Sequence, residues 1–174
     1  RAMGVGALAG WINGLIISEF NAPPLIVTLG SNYAYMGIAV VITQGKSIVG
    51  LPAAFNSMGQ GKFLGVLPNQ FVILVLVVAV IWFLTSRTPY GTKLFMTGSN
   101  VVAAEFSGIN IKRLLRTTYT ISGVLAAISG CILFGRSNQA NADYGTTYTL
   151  QAIMIAVLGG TSPDGGEGNV LGVL

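Results

Sequence analysis

The side chains that could do chemistry are few in this chain. No histidine occurs among its 174 residues, which excludes imidazole acid–base catalysis and histidine metal sites. The single cysteine, Cys131, can neither close an intramolecular disulfide nor build a thiolate metal site, and its apolar surroundings indicate a small packing residue. The sequence therefore predicts no catalytic residue, no metal site and no cofactor within this chain.

Two glycine-rich segments have the composition of phosphate-binding loops but not their context. Gly159-Gly160, and Gly165-Gly166 after them, are followed by no lysine and preceded by no strand, and Gly4 to Gly10 lacks a strand–turn–helix setting. Non-helical backbone at membrane depth survives only where protein or water satisfies its polar groups. We therefore interpret residues 159–166 as the break in a broken or re-entrant helix beside a translocation pathway, with a polar cytoplasmic turn as the alternative.

Polar side chains within apolar runs are the second group of candidates. Asn13 lies in the first apolar run, where a buried amide needs a partner on a neighbouring helix or a passing polar solute. If the polar groups of the second apolar run share a cavity with Asn13, a hydroxyl-rich solute finds hydrogen-bond donors and acceptors there. The side chains of Tyr33 and Tyr35 are equally consistent with a packing role. The candidates for a substrate pathway are Asn13, Thr28, Asn32, Tyr33 and Gln151.

Composition shows which solvent surrounds these residues. The chain is 52% hydrophobic and only 8% charged, whereas a typical soluble domain is about 25% charged. The net charge of +4 is concentrated in one loop, which argues against nucleic-acid binding. Because the chain begins at Arg1 without an initiator Met or a signal peptide, we expect a fragment of a larger membrane protein.

Charge-free apolar runs predict the helices that cross the membrane. A crossing needs about 17–25 apolar residues. The fold class expected is an all-α integral membrane protein, a polytopic helical bundle forming part of one transmembrane domain. Its predicted spans are residues 2–18, 25–43, 69–86 and 117–135, with a partial fifth over 148–160 that is too short to cross alone.

The distribution of lysine and arginine predicts the orientation. The segment 87–116 carries five of them, against two in residues 44–70, so the positive-inside rule places 87–116 in the cytoplasm as a loop. By parity the turn from Glu19 to Pro24 is also cytoplasmic, although it carries neither lysine nor arginine. The five are Arg87, Lys93, Lys112, Arg113 and Arg116.

Small residues at helical spacing predict close helix packing. Gly6, Gly10 and Gly14 form a smooth face on the first span, and a second such face lies on the fourth span. Packing within the protomer is the simpler interpretation, and a dimer seam is the alternative. The residues of the second face are Gly123, Ala126, Ala127 and Gly130.

The segment between the third and fourth spans contains a short predicted helix. Asn100 is a good N-cap, residues 101–106 can form about two turns, and Gly108 accepts the left-handed C-cap. Ala103 and Ala104 give this helix a thin side that could enter a groove on another protein. A surface helix resting on lipid headgroups is the alternative.

This segment resembles the cytoplasmic coupling-helix region of permeases of the ribose-type family of ABC sugar importers. Four other segments resemble further parts of the family sequence, in the same order along the chain. They are Asn13-Gly14, Pro24 to Gly30, Thr88 to Lys93 and Ala152 to Gly168. Thr149-Leu150-Gln151 stands where the family often has two carboxylates, and Pro163-Asp164 is an unusual insert. These departures weaken the case for ribose and make the autoinducer-2-type permeases a plausible closer relative. The matched coupling positions are Gly98, Asn100, Ala103, Ala104, Gly108, Ile109 and Asn110.

The resemblance implies a permease subunit of an ATP-driven importer in the bacterial cytoplasmic (inner) membrane, not an enzyme. Its solute would be a sugar or sugar-like small polar molecule. The implied partners are ABC ATPase subunits that hold ATP and Mg, an extracytoplasmic substrate-binding protein and a second permease subunit. Arg136 would either dock the binding protein or anchor the helix at the interface. The implied ATPase-coupling residues are Asn100, Ala103, Ala104, Glu105, Phe106 and Gly108.

Two other functions remain open from the sequence. A secondary transporter would normally carry ionisable residues inside its spans for ion coupling, and none lies deep in a predicted span here. A structural or assembly subunit would need neither a polar cavity nor a helix that docks an ATPase.

Overall fold

The computed structural model describes residues 1–50, 61–63, 67–162, 165, 166, 168, 170 and 172. These residues are mostly helical. The helices are α1 (Ala2–Phe20), α2 (Pro24–Thr43), α3 (Asn69–Ser86), α4 (Pro89–Ser99), α5 (Val101–Phe106), α6 (Ile111–Ser137) and α7 (Tyr144–Leu158). Two short antiparallel pairings join β1 (Ile48–Val49) to β4 (Gln139–Ala140) and β2 (Lys62–Phe63) to β3 (Leu67–Pro68).

Four of the described helices, α1, α2, α3 and α6, are long and apolar enough to cross a membrane. The predicted all-α membrane class is therefore confirmed. The fourth span begins at Ile111 rather than Thr117, because Asn110 caps the helix by accepting a hydrogen bond from the backbone N–H of Arg113, at 2.9 Å. Three of the five basic residues assigned to a loop, Lys112, Arg113 and Arg116, therefore lie in the first turns of α6.

The chain folds as two compact units. The first comprises Arg1–Val72 and Leu115–Gly145, and it contains α1, α2 and most of α6. The second comprises Ile73–Leu114 and Thr146–Leu174, and it contains most of α3, all of α4 and α5, and most of α7. The prediction that all these residues belong to one transmembrane domain stays a prediction.

Glycines bring α1 and α6 into close contact within the first unit. A Cβ built on Gly10 would lie 3.1 Å from the Gly123 Cα, and one built on Gly14 would lie 2.8 Å from the Arg116 Cα. Gly6 meets the carbonyl group of Gly123 and the side chain of Ala127. The two helices are therefore antiparallel, and the predicted packing within the protomer is confirmed. Gly130 lies outside this contact.

This close approach predicts that Gly10→Ala destabilises the protein. The new Cβ would overlap the carbonyl of Tyr119, and overpacking of this kind costs about 1–3 kcal/mol. We expect detergent-solubilised Gly10→Ala protein to unfold at a lower temperature than wild type. The matched control is Gly37→Ala in α2, where nothing lies within 4 Å of a new Cβ. Equal melting temperatures for the two variants would contradict the packing described.

An ion pair joins the end of α1 to the beginning of α6. The Arg116 guanidinium pairs with the Glu19 carboxylate, and its Nε donates a hydrogen bond to Oγ of the buried Ser18 at 3.1 Å. The turn from Glu19 to Pro24 therefore lies at the same end of the helix pair as the basic start of α6. If that basic segment is cytoplasmic, the turn is cytoplasmic too, as parity predicted despite its lack of lysine and arginine.

The pairing of β1 with β4 marks the other end of the first unit. Ile48 pairs with Ala140 and Val49 pairs with Gln139, shortly after the ends of α2 and α6 respectively. Asn141 donates a side-chain hydrogen bond to Oγ of Ser47 at 3.3 Å beside this pairing. Both helices therefore end on the same side, opposite to the Glu19–Pro24 turn.

Candidate functional site

A two-turn helix, α5, is the centre of the candidate coupling site, and it has the predicted bounds. The Asn100 side chain accepts a hydrogen bond from the Ala103 backbone N–H at 3.0 Å, which is the expected N-cap. Gly108 follows the helix with a φ of 76°, and the Ile109 N–H bonds to the Ala104 carbonyl at 3.2 Å. These contacts form a glycine C-cap of the Schellman type, so both ends of α5 are fixed.

Helix α4 was missed in the sequence, where it was assigned to the cytoplasmic loop. Its start carries one recognisable signal, a proline at the first helical position after Thr88. Gly91 and Gly98 lower its helix propensity, and both are needed for close contacts instead. A Cβ on Gly91 would lie 2.7 Å from the Thr85 Cα, so this glycine lets α4 fold back against the end of α3.

The exposed face of α5 differs from the predicted one. Ala104 is 1% exposed, and α5 packs against α4, so its small side chain serves contact within this chain rather than a partner's groove. Ala103 remains exposed. The most prominent exposed side chain of the helix is Phe106, at 89%, beside the exposed Val102. A partner would therefore meet a bulky apolar face carrying the Glu105 carboxylate.

The surroundings of α5 are basic and concave. A cavity of about 550 Å³ lies along α4 and α5, with Phe95, Met96 and Ala103 among its lining residues. A second cavity of about 670 Å³ is lined by Arg87, Lys93 and residues of the segment after α5. The Arg87 guanidinium lies 5.8 Å from the ring centre of Trp82, an arrangement typical of a helix end at the membrane interface.

The predicted helix break lies at the end of α7. The Gly160 N–H bonds to the Val157 carbonyl at 3.0 Å and the Thr161 N–H to the Ala156 carbonyl at 3.0 Å, with a φ of 83° at Gly160. This Schellman cap ends a helix of 15 residues, whose length of roughly 22 Å is less than the ~30 Å core of a bilayer. The residues of the unusual insert, Pro163 and Asp164, lie outside the described residues.

The structure brings the later glycines of that segment to the coupling region. Gly165 and Gly166 have φ values of 93° and 81°, and both lie against Gly98 and Ser99 at the end of α4. Sequence reasoning treated these two segments as separate sites. The one feature of the sequence that hints at their contact is Gly98. A glycine in a helical segment does not by itself show which residue it approaches.

Asn13 has an interhelical partner that the sequence did not identify. The Tyr35 hydroxyl donates to the Ala9 carbonyl at 3.1 Å and lies 3.4 Å from the Asn13 side-chain oxygen. This contact joins α1 to α2, the packing alternative for Asn13. Within the described residues, the amide N–H groups of Asn13 have no hydrogen-bond partner, and its predicted contact with a solute stays a prediction.

The other pathway candidates divide by position. Thr28 and Asn32 share the face of α2 that carries Tyr35, because spacings of four and three residues follow the helical repeat. The Thr28 hydroxyl donates to the Pro24 carbonyl at 2.9 Å, within its own helix. Tyr33 is 69% exposed and lies on a different face. Gln151 lies exposed on α7 in the second unit.

Two substitutions separate a packing role from a pathway role for Asn13. Tyr35→Phe removes the interhelical hydrogen bond, worth about 0.6 kcal/mol on average in membranes, but keeps the amide donors. We expect it to lower stability slightly and to leave uptake per protein molecule unchanged. Asn13→Ala should lower uptake per molecule, measured with a labelled solute in vesicles against the amount of protein. Equal losses of uptake per molecule in both variants would show that Asn13 acts through packing alone.

Arg136 lies exposed in the last turn of α6, close to β4. A cation there is favourable at the negative end of the helix dipole. Its predicted contact with a binding protein stays a prediction.

The complete chain, residues 1–174, matches the family described as "Branched-chain amino acid transport system / permease component". It is 38% identical to the ribose import permease protein of Bacillus subtilis (strain 168), over 93% of this chain and 51% of that protein. It is 33% identical to the fructose import permease protein of Rhizobium meliloti, over 99% and 50%. It is 36% identical to an autoinducer 2 import system permease protein of Klebsiella pneumoniae, over 97% and 48%.

The chain thus spans about half the length of the curated relatives it matches. No solved structure matches it.

Proposed function

The chain belongs to the branched-chain amino acid transport system / permease component family, and from this premise we propose that it is part of the permease subunit of an ATP-driven importer in the bacterial inner membrane. Membership in a family of transport permease components supports this role, and four of the described helices are long and apolar enough to cross a membrane. Its role is to provide a pathway whose access alternates between the two sides of the membrane.

The observation that carries the proposal is helix α5. It is capped at both ends, it packs on α4, and it presents the exposed Phe106 in the segment that the positive-inside rule places in the cytoplasm. A rigid element with a large exposed aromatic anchor is suited to a protein partner. We assign this partner to an ABC ATPase subunit, which binds ATP and Mg outside this chain.

The mechanical requirement is a difference in affinity between two states. ATP binding must favour one position of α5 over the other, because a ligand that binds both states equally shifts neither. The capped ends of α5 suit it to this task, since a helix that frays would absorb the displacement. The pathway residues proposed here would hold and orient the solute, and ATP hydrolysis would take place on the partner subunit.

The proposed solute is a sugar or a sugar-like polar molecule. The relatives are named as ribose, fructose and autoinducer 2 import permeases. The neutral amide of Asn13 offers N–H donors without an ionised group, which matches a neutral hydroxyl-bearing solute. An extracytoplasmic binding protein would deliver this solute at the Arg136 end of the first unit, and a second permease subunit would complete the pathway.

Reconstitution of the full-length permease tests the proposal. The permease, its ATPase and its binding protein are placed in proteoliposomes, and uptake of labelled ribose, fructose and autoinducer 2 is measured at a constant membrane potential. We expect uptake of at least one of these solutes only with ATP on the ATPase side. Uptake driven by an ion gradient without ATP would indicate a secondary transporter. Unchanged uptake when this subunit is omitted would indicate a structural or assembly role.

A further inference from the structure

A main-chain contact joins the end of α4 to three described glycines that follow α7, Gly165, Gly166 and Gly168, which are called the glycine turn below. A Cβ built on Gly98 would overlap the Gly166 amide nitrogen and would lie 3.0 Å from the Gly166 Cα. From the other side, a Cβ on Gly165 would lie 3.1 Å from the Gly98 carbonyl oxygen. The two segments therefore touch through their backbones, with no side chain between them.

The conformation of the glycine turn is suited to this contact. Gly165 and Gly166 adopt φ values of 93° and 81°, a left-handed region that glycine enters without steric cost. A Cβ on Gly166 would lie 3.0 Å from the Ser99 Cα, and one on Gly168 would lie 3.7 Å from Cε1 of Phe95. The turn therefore meets the last turn of α4 at three successive described positions.

The same end of α4 leads directly into α5, the helix proposed to dock the ATPase. The Asn100 backbone N–H bonds to the Met96 carbonyl at 3.1 Å, which completes α4, and the Asn100 side chain begins α5. Gly98 is two residues before this shared cap. A displacement of α5 therefore moves the residue that contacts the glycine turn. A contact between backbones has no rotamers that could absorb the movement, and close-packed interfaces transmit displacement.

We propose that this contact is the joint through which movement of α5 reaches α7, and that Gly98 is a positioning residue for transport. The inference rests on the importer function proposed above, and it adds a specific path to it. The path runs from α5 through the last turn of α4 to the glycine turn, which follows α7 in the chain. It gives a single role to two segments that the sequence presents as separate sites. These are α4 with α5, and Gly165 with Gly166.

Gly98→Ala is the direct test, because it changes the contact without weakening the helix. Alanine is a better helix former than glycine, and Gly98 has a helical backbone, so α4 itself is favoured by the change. The new Cβ must push the glycine turn away. In proteoliposomes with the ATPase and binding protein, we expect ATPase co-purification and ATP hydrolysis to be unchanged, and solute taken up per ATP hydrolysed to fall by about tenfold.

The control variant is Gly37→Ala, a helical glycine where a Cβ meets nothing within 4 Å, and it should retain the wild-type ratio of uptake to hydrolysis. A wild-type ratio in Gly98→Ala would overturn the proposal. Loss of ATPase co-purification in Gly98→Ala would also overturn it, because Gly98 would then act on docking. Failure of the importer function itself would be visible separately, as absence of ATP-dependent uptake in the wild-type complex.

A cross-link tests whether the contact exists in the membrane. Phe95→Cys and Gly168→Cys are combined in a Cys131→Ala background and treated with a short bifunctional thiol reagent. We expect an intramolecular cross-link that leaves the uptake-to-hydrolysis ratio intact, because it holds together two segments that move as one. No cross-link, or a cross-link that abolishes uptake, would contradict a joint that moves as a unit.

Discussion

Replacing Phe106 with alanine is expected to separate the permease from its ATPase. This side chain is 89% exposed at the end of a helix fixed by caps at both ends, so its truncation removes an anchor without disturbing the fold. Loss of an aromatic hot spot costs about 2 kcal/mol or more, which is about a 30-fold loss of affinity. The measurement is co-purification of a tagged ATPase with full-length permease, together with ATP-dependent uptake.

The matched control for this prediction is Phe20→Ala. Phe20 is 76% exposed, but it ends α1 and lies outside the coupling segment. We expect this variant to retain ATPase binding and uptake. If Phe106→Ala binds the ATPase as wild type does, α5 is not the docking element, and its exposed face belongs to another contact, such as the lipid headgroups considered from the sequence.

The elements that could be predicted from sequence are those determined by local chemistry. The four spans follow from apolar length, which is a property of each segment alone. The bounds of α5 follow from Asn100 and Gly108, whose caps depend on neighbouring backbone groups. The predicted start of the fourth span was six residues too late, because Lys112, Arg113 and Arg116 indicated a loop. In the structure Asn110 caps a helix there.

The contacts that could not be predicted depend on how separate elements pack against each other, whether they are close or distant in the chain. Gly91 and Gly98 disfavour a helix by propensity, and their benefit is visible only where Thr85 and Gly166 approach them. Ala104 was expected on the partner face because its small side chain, with that of Ala103, gives α5 a thin side that could enter a partner's groove. In the structure it is 1% exposed, on a helix that packs against α4, and this packing is not visible in the sequence.

Packing between α1 and α6 was the more predictable part of the first unit. Glycines four residues apart on α1 indicate a close helix contact, and one glycine of the matching face, Gly123, lies in it. The sequence could not identify Tyr35 as the partner of Asn13, because two tyrosines on α2 were equally suitable. The ion pair between Arg116 and Glu19 was equally hidden, since it joins residues 97 positions apart.

The ion pair between Arg116 and Glu19 allows a specific prediction of which helix ends face the cytoplasm. Cysteines at Ala22 and Ser107 should react with a membrane-impermeant maleimide only from the cytoplasmic side, and a cysteine at Ser47 only from the outside. Ala22 lies in the turn beside Glu19, at the basic start of α6, whereas Ser47 lies beside the β1–β4 pairing at the opposite end. Each variant is made in a Cys131→Ala background.

We expect each cysteine to be labelled from one side of the membrane only. The helices α1, α2 and α6 all cross the membrane, so the two ends of the first unit lie on opposite sides of it. Placing the basic start of α6 outside would reverse the positive-inside rule, and moving the Arg116–Glu19 pair into the hydrocarbon region would desolvate both charges. Cys131→Ala protein without added cysteines is the control for background reaction. Labelling of Ala22→Cys from outside intact cells would show that the turn is extracellular, and α5 would then lie on the wrong side of the membrane for an ATPase.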